Sequence, residues 1–176
     1  MARAERRTDK YRARQGEIVR AAANLINRKG VRGMTLADVA AALGMVPTGV
    51  IYYFPSKEAL AAACFLRAIE AYERMIAAAE AGGDRAERLA LFVRGYFDHA
   101  RRASVGAEDR LAVFNDVRAL DDAAVNSAYV RMFGRARDLL RDDPKGPSDH
   151  ACNAVAHLVI SQSFWSRRGS TTKPWR

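Results

Sequence analysis

Apolar residues recur along this chain at intervals of three and four, the spacing that gathers them on one face of an α-helix. Ile18, Ala22, Leu25 and Ile26 form the first such stripe, and Gly30 stands where a helix end favours glycine. Thr35 then offers a side-chain oxygen to the free amides of a helix start, with Asp38 three residues on as in a capping box. Leu36, Val39, Ala40 and Leu43 face inward before Gly44 stops the turn, which makes this helix about two turns long. Pro47 is tolerated at a first helical position because its missing N–H would be unpaired there, and it opens a very short helix to Tyr53. Pro55 ends that helix, and Ser56 caps a long one running through Ala81 to the stop at Gly82-Gly83.

The remainder follows the same periodicity. Asp84 and Glu87 open a helix bearing Leu89, Phe92, Val93, Tyr96 and Phe97, which ends near Ser104-Val105-Gly106. The spacing predicts a further helix from about Glu108 to Leu120 through Leu111, Phe114 and Val117. Asp121 is placed to cap the next, with Val125, Tyr129, Met132, Phe133, Ala136, Leu139 and Leu140 inward, before the breaker run Asp142-Asp143-Pro144-Lys145-Gly146-Pro147. Ser148 caps a last helix to about Trp165, apolar on most of its circumference from Val155 onward, which suits burial on more than one side. No alternating strand, internal repeat or low-complexity linker occurs, so the expected fold is all-α.

Composition narrows the function classes. In 176 residues there are two cysteines, Cys64 and Cys152, without CxxC or CxxH spacing, so they read as small buried hydrophobes and no disulfide, metal or cofactor is expected. The first fourteen residues are charged where a signal peptide would be apolar, and no run of about 18 uncharged apolar residues exists. The expectation is a cytoplasmic protein with no membrane segment. Net charge is +9, and it is unevenly placed: through Lys57 there are eleven Lys/Arg against four Asp/Glu, and in the remaining residues eighteen against sixteen. A polyanion is the natural partner for the first third, and nucleic acid and an anionic membrane surface both qualify. Arg3, Arg6, Arg7, Lys10, Arg12 and Arg14 read either as a flexible arm reaching a minor groove or phosphates, or as a solvated tail.

Two short helices around a glycine turn, the second bounded by prolines and the pair preceded by a basic helix, have the layout of a helix-turn-helix. A core helix would be longer and carry an inward stripe, whereas Thr48-Gly49-Val50-Ile51-Tyr52-Tyr53 offers small or hydrogen-bonding groups with Val50, or Val50 and Ile51, to anchor it. Gly49 inside a helix costs about 1 kcal/mol relative to alanine, a loss that makes sense where backbone must approach a base edge. Tyr52 and Tyr53 carry phenolic donors. Lys57 lies in the first turn of the following helix, where free amides and the dipole favour an anion.

At these residues the sequence resembles the TetR family of transcriptional repressors. The stretch Thr35-Leu36-Ala37-Asp38-Val39-Ala40 through Leu43-Gly44, and Ile51-Tyr52-Tyr53-Phe54-Pro55-Ser56-Lys57-Glu58-Ala59-Leu60, carry the likeness, which covers roughly residues 15 to 62. Val46, Thr48 and Ile51 depart from it, standing where the family often has Ser, Gly and Tyr. The resemblance implies that Thr35, Tyr53 and Lys57 hold phosphates while Pro47, Thr48, Gly49 and Tyr52 approach bases. It also implies a three-helix DNA-binding domain over residues 15–60 behind the arm 1–14. A helical domain for inducer binding and dimerisation follows over 61–166, then an irregular tail 167–176. The family dimerises through its last two helices, and this sequence offers one, Ser148 to Trp165.

The implied partners are a double-stranded DNA operator, a small-molecule inducer and a second copy of the chain. Phe65, Tyr72, Phe92, Tyr96, Phe114 and Trp165 are candidates to line an inducer cavity, with Arg118 to orient a polar group; each aromatic also reads as simple core, and Arg118 as a solvated face. His99, His150 and His157 show no ligand or triad spacing. No GxSxG, Walker, HExxH or GxGxxG motif occurs, and Asp121-Asp122 and Asp142-Asp143 sit at helix ends where capping accounts for them, so no catalytic residue is assigned. The alternative is a helical adaptor whose basic end binds acidic partners. Such a protein should present one continuous basic amphipathic helix, and the segment between Pro47 and Pro55 is too short for that.

Overall fold

The computed structural model describes residues 2–141 and 149–165, and among them there is helix almost throughout and no strand. The α-helices are α1 Ala2–Gly33, α2 Leu36–Ala42, α3 Pro47–Tyr53, α4 Lys57–Ala79, α5 Arg85–Ser104, α6 Ala123–Asp138 and α7 Asp149–Trp165, and a 3-10 helix, Phe114–Ala119, precedes α6. The all-α expectation holds. The basic stretch read as a flexible arm is instead the start of α1, because no breaker separates it from the Ile18 stripe. Ser148 and the tail 167–176 lie outside the described residues.

The chain divides into two compact units, one from Met1–Ala68 with Glu108–Asn126 and the other from Ile69–Ala107 with Ser127–Arg176. The return of residues 108–126 to the N-terminal unit has no counterpart in the sequence reading, nor does a boundary inside α4. In the first unit the buried side chains include those expected inward, Ile18, Ala22, Leu25 and Ile26 of α1, Val39 and Ala40 of α2 and Val50 of α3, whereas Leu36 and Leu43 are half-buried; Leu60, Cys64 and Phe65 of α4 are buried as well. Fully burying side chains of this size is worth about 1.5–3 kcal/mol each.

The predicted helix Glu108 to Leu120 is a correction. Residues 109–113 have no regular structure and only Phe114–Ala119 turns, as a 3-10 helix. Their backbone groups find partners elsewhere. Asn27 on α1 donates from Nδ2 to the Leu111 carbonyl and accepts at Oδ1 from the Val113 amide, both at 2.9 Å, so its side chain pairs with the segment as a neighbouring strand would. Asp109 takes Arg20 of α1 and Arg67 of α4 on its two carboxylate oxygens. Asp116 accepts the Val31 amide at 3.1 Å. That amide needs an outside partner because α1 is interrupted at Gly30, whose φ of 72° lies in the left-handed region.

In the second unit Phe92, Tyr96, His99 and Ala103 form the buried face of α5. Phe97, expected inward, is 55% exposed: it lies about 100° around the helix from Tyr96 and meets that ring edge-on at 5.6 Å. The α6 cap is Asp122, one residue later than expected, accepting the Val125 amide at 2.9 Å. Arg88 closes the other end of α6 by donating to the carbonyls of Leu139 and Arg141. On α7, Cys152, Ala156 and Ile160 are buried within the chain, while Val155 and Leu158 are exposed; the side chains of residues 161–165 lie outside the described residues.

The two glycines that behave oppositely give a stability test. A Cβ on Gly30 would sit 2.6 Å from Asp116 Oδ2 in a backbone region that side chains avoid, so Gly30→Ala should destabilise by about 1–3 kcal/mol in urea melts. Gly134 in α6 has open space, and Gly134→Ala should stabilise by about 0.5–1 kcal/mol. Burial pushes the Cys64 thiol up to about 12, and Cys152 is as deeply buried. Both cysteines should therefore resist a thiol reagent at pH 8 until denaturant is added, and stoichiometric labelling of the native protein would contradict their placement.

Candidate nucleic-acid interface

Local capping builds the short helices. Thr35 precedes α2 in extended conformation, and its hydroxyl oxygen accepts the Asp38 amide at 3.0 Å. Lys29, at 3.2 Å, and then Thr35 hold the Asp38 carboxyl below its ordinary range. This reciprocal pairing is the expected capping box. At the far end Gly44, φ 62°, lets the Met45 amide reach the Ala40 carbonyl and its own amide reach Ala41. That pair of bonds is a Schellman turn, and it reverses the chain within three residues of α2.

Beyond the turn, α3 leaves α2 at 107°, within the range of helix-turn-helix pairs. Val46 at its N-cap has no side-chain hydrogen bond to give, and Pro47 begins the helix as expected. Val50 is its one buried residue, and Phe54, just past the end, is buried too. The remaining surface is open: Pro47 and Thr48 are exposed, Ile51 is 46% and Tyr52 72% exposed, and Tyr53 is half-buried. Ile51 is thus no anchor. At Gly49 a Cβ would lie 3.1 Å from Met45 Cε, so the close approach it permits within the protein is to the turn. Ser56 caps α4 by accepting the Ala59 amide at 3.1 Å, and Lys57 in its first turn reaches back 3.4 Å to the Arg32 carbonyl.

Residues 35 to 57 therefore bring Thr35, Lys57 and the exposed face of α3 into one unit with the basic helix α1. The sequence reading missed Tyr11. Its ring lies 4.8 Å from Tyr53 and 6.0 Å from Tyr52, over an open groove of about 850 Å³ lined also by Lys10, Arg14 and Glu17. A signal existed, since Tyr11 stands seven residues before Ile18 and so continues that stripe backward.

Residues 18–64 match the bacterial regulatory proteins of the tetR family. No curated protein sequence matches the chain. Solved structures share the fold of the chain over most of its length. The fatty acid degradation regulator FadR from Bacillus halodurans covers 90% of it with 86% of its own length, at 15% identity and TM-score 0.66. A TetR transcriptional regulator from Chloroflexus aurantiacus covers 90% with 93% of its own, at 20% identity and TM-score 0.60. For the ketosteroid transcriptional regulator KstR2 of Mycobacterium tuberculosis the figures are 93%, 85%, 17% and 0.58.

The inducer candidates fall into two sets. In the N-terminal unit, Phe65 and Phe114 stack at 6.3 Å, and Arg118 is exposed. In the second, Tyr72 lies 6.3 Å from Phe92 and 6.2 Å from Tyr96, all three buried. Trp165 ends α7, and its side chain is outside the described residues. Among the described residues no cluster of His, Cys, Asp and Glu could hold a metal ion, and no single helix is long and apolar enough to cross a membrane.

The α2 cap can be tested without DNA. Thr35→Ala should lower stability by about 1 kcal/mol, whereas Thr35→Ser should retain most of it, as read from urea unfolding midpoints.

Proposed function

We propose that the chain is a ligand-responsive, sequence-specific DNA-binding transcription regulator acting as a homodimer. Its two α3 helices would enter successive major grooves of a near-palindromic operator, about 34 Å apart. One observation carries this reading: a seven-residue helix set at 107° to its predecessor, anchored by a single buried valine and exposing Pro47, Thr48 and Tyr52. The positive charge concentrated through Lys57 supplies the sequence-independent attraction to a duplex. Thr35, Tyr53 and Lys57 would hold phosphates; Pro47, Thr48, Gly49 and Tyr52 would approach bases. Thr35 accepts the Asp38 amide and keeps its hydroxyl hydrogen to donate to a phosphate, and the Lys57 ammonium has two donors besides the one on the Arg32 carbonyl.

The dimer finds support in apolar side chains left outside, Val155 and Leu158 on α7 and Val130 on α6. For the inducer, Tyr72, Phe92 and Tyr96 offer a contiguous aromatic wall suited to an apolar molecule, with Phe65, Phe114, Arg118 and Trp165 as the further candidates. A ligand preferring one dimer geometry would shift the population away from the spacing that fits the operator. The reading assigns no catalysis.

Selection from random duplex DNA tests it, with an inverted repeat as the expected product. On the selected duplex Lys57→Ala should weaken binding evenly across sequences and reduce the salt slope by about 1 per lost contact, whereas Thr48→Ala or Tyr52→Ala should change base preference. Failure to enrich any sequence at low ionic strength would refute the proposal.

A further inference from the structure

The three tyrosines at the start of α1 and the end of α3 are unusual in where they sit. Tyr11 and Tyr53 face each other at 4.8 Å with 33° between planes, Tyr52 stands edge-on to Tyr53 at 5.1 Å and 90°, and Tyr11 meets Tyr52 edge-on at 6.0 Å and 78°. These are the tilted and edge-to-face arrangements that aromatic quadrupoles favour. Yet the cluster is on the surface: Tyr11 is 36% and Tyr52 72% exposed. Tyr52 in particular removes little apolar area from water, so its contact with the other two rings does more to orient it than to hold the core. Lys10 and Arg14 line the same groove, and its one carboxylate, Glu17, is taken up by Arg14 at 2.6 Å. A groove of net positive charge thus runs from α1 onto the end of α3.

We propose that Tyr11 is a positioning residue for sequence recognition, its ring fixing the orientations of Tyr52 and Tyr53 so that the Tyr52 hydroxyl is held ready for a base edge. This rests on the reading of α3 as the DNA-contacting helix. A free tyrosine at a helix surface samples several side-chain rotamers, and only some would direct the phenol into a groove. The Tyr11 ring excludes part of that set before binding, so less ordering is left to the complex. Tyr11 belongs to α1 and lies about forty residues from Tyr52, which gives the N-terminal helix a part in base preference without any contact of its own to a base.

The test uses the full chain on duplexes chosen by its own selection, comparing Tyr11→Ala, Tyr11→Phe, Tyr52→Ala and the Tyr11→Ala/Tyr52→Ala pair. Tyr11→Ala should lose several-fold to about tenfold in affinity and flatten base preference only at positions that Tyr52→Ala also flattens. Tyr11→Phe, which keeps the ring, should restore both. In the double variant the second substitution should add little, because both act through one contact. A Tyr11→Ala profile equal to that of the unaltered chain would overturn the inference, as would fully additive losses. So would a Tyr11→Phe as impaired as Tyr11→Ala, which would make the hydroxyl a direct contact. Those results leave α3 as the reading helix, whereas an unaltered chain that selects no sequence would remove that reading and this inference together.

Discussion

A helix of seven residues does not persist in water by its own hydrogen bonds, since nucleation costs more than so few bonds return. Whatever places α3 must therefore come from outside it. The Schellman turn at Gly44 sets its direction, Pro47 presets its first dihedral, Val50 ties its middle to the core and Phe54 ties the chain just beyond its end. Because so few side chains suffice, most of the helix circumference stays free for another molecule. A longer helix would be more stable and would need a wider buried face, at the expense of the exposed one.

The same unit shows a second constraint, made of polar contacts. An irregular segment must satisfy every backbone group it buries, and Asn27 does this for Leu111 and Val113 with one amide. Asp116 does the complementary task for the amide left over at the Gly30 interruption of α1. Asp109, between Arg20 and Arg67, joins the segment to α1 and α4. The N-terminal domain is thus completed by residues that arrive late in the chain. This is why a boundary drawn near residue 60 from sequence differs from the observed division.

Much of the candidate interface could be read in advance. Thr35, Gly44, Pro47, Ser56 and Asp84 each act on amides or carbonyls within five residues, so their roles follow from short spacings. The inward positions of α1, α2 and α6 were legible for a similar reason, as periodicity reports which side of a helix is apolar. It does not report how wide the buried side is. Phe97, Ile51, Val155 and Leu158 carry apolar signals and lie outside, because burial depends on what stands opposite them.

Sequence by itself determined where α2 to α5 start, which face of a helix is apolar and where positive charge accumulates, all consequences of interactions between near neighbours. Only the tertiary structure decided that residues 109–113 are irregular, since their partner Asn27 is more than eighty residues away and leaves no trace in local spacing. It also decided that Tyr11 meets Tyr52 and Tyr53. A ring's neighbours across helices are set by the crossing of those helices, and no pattern along one strand of text contains that angle.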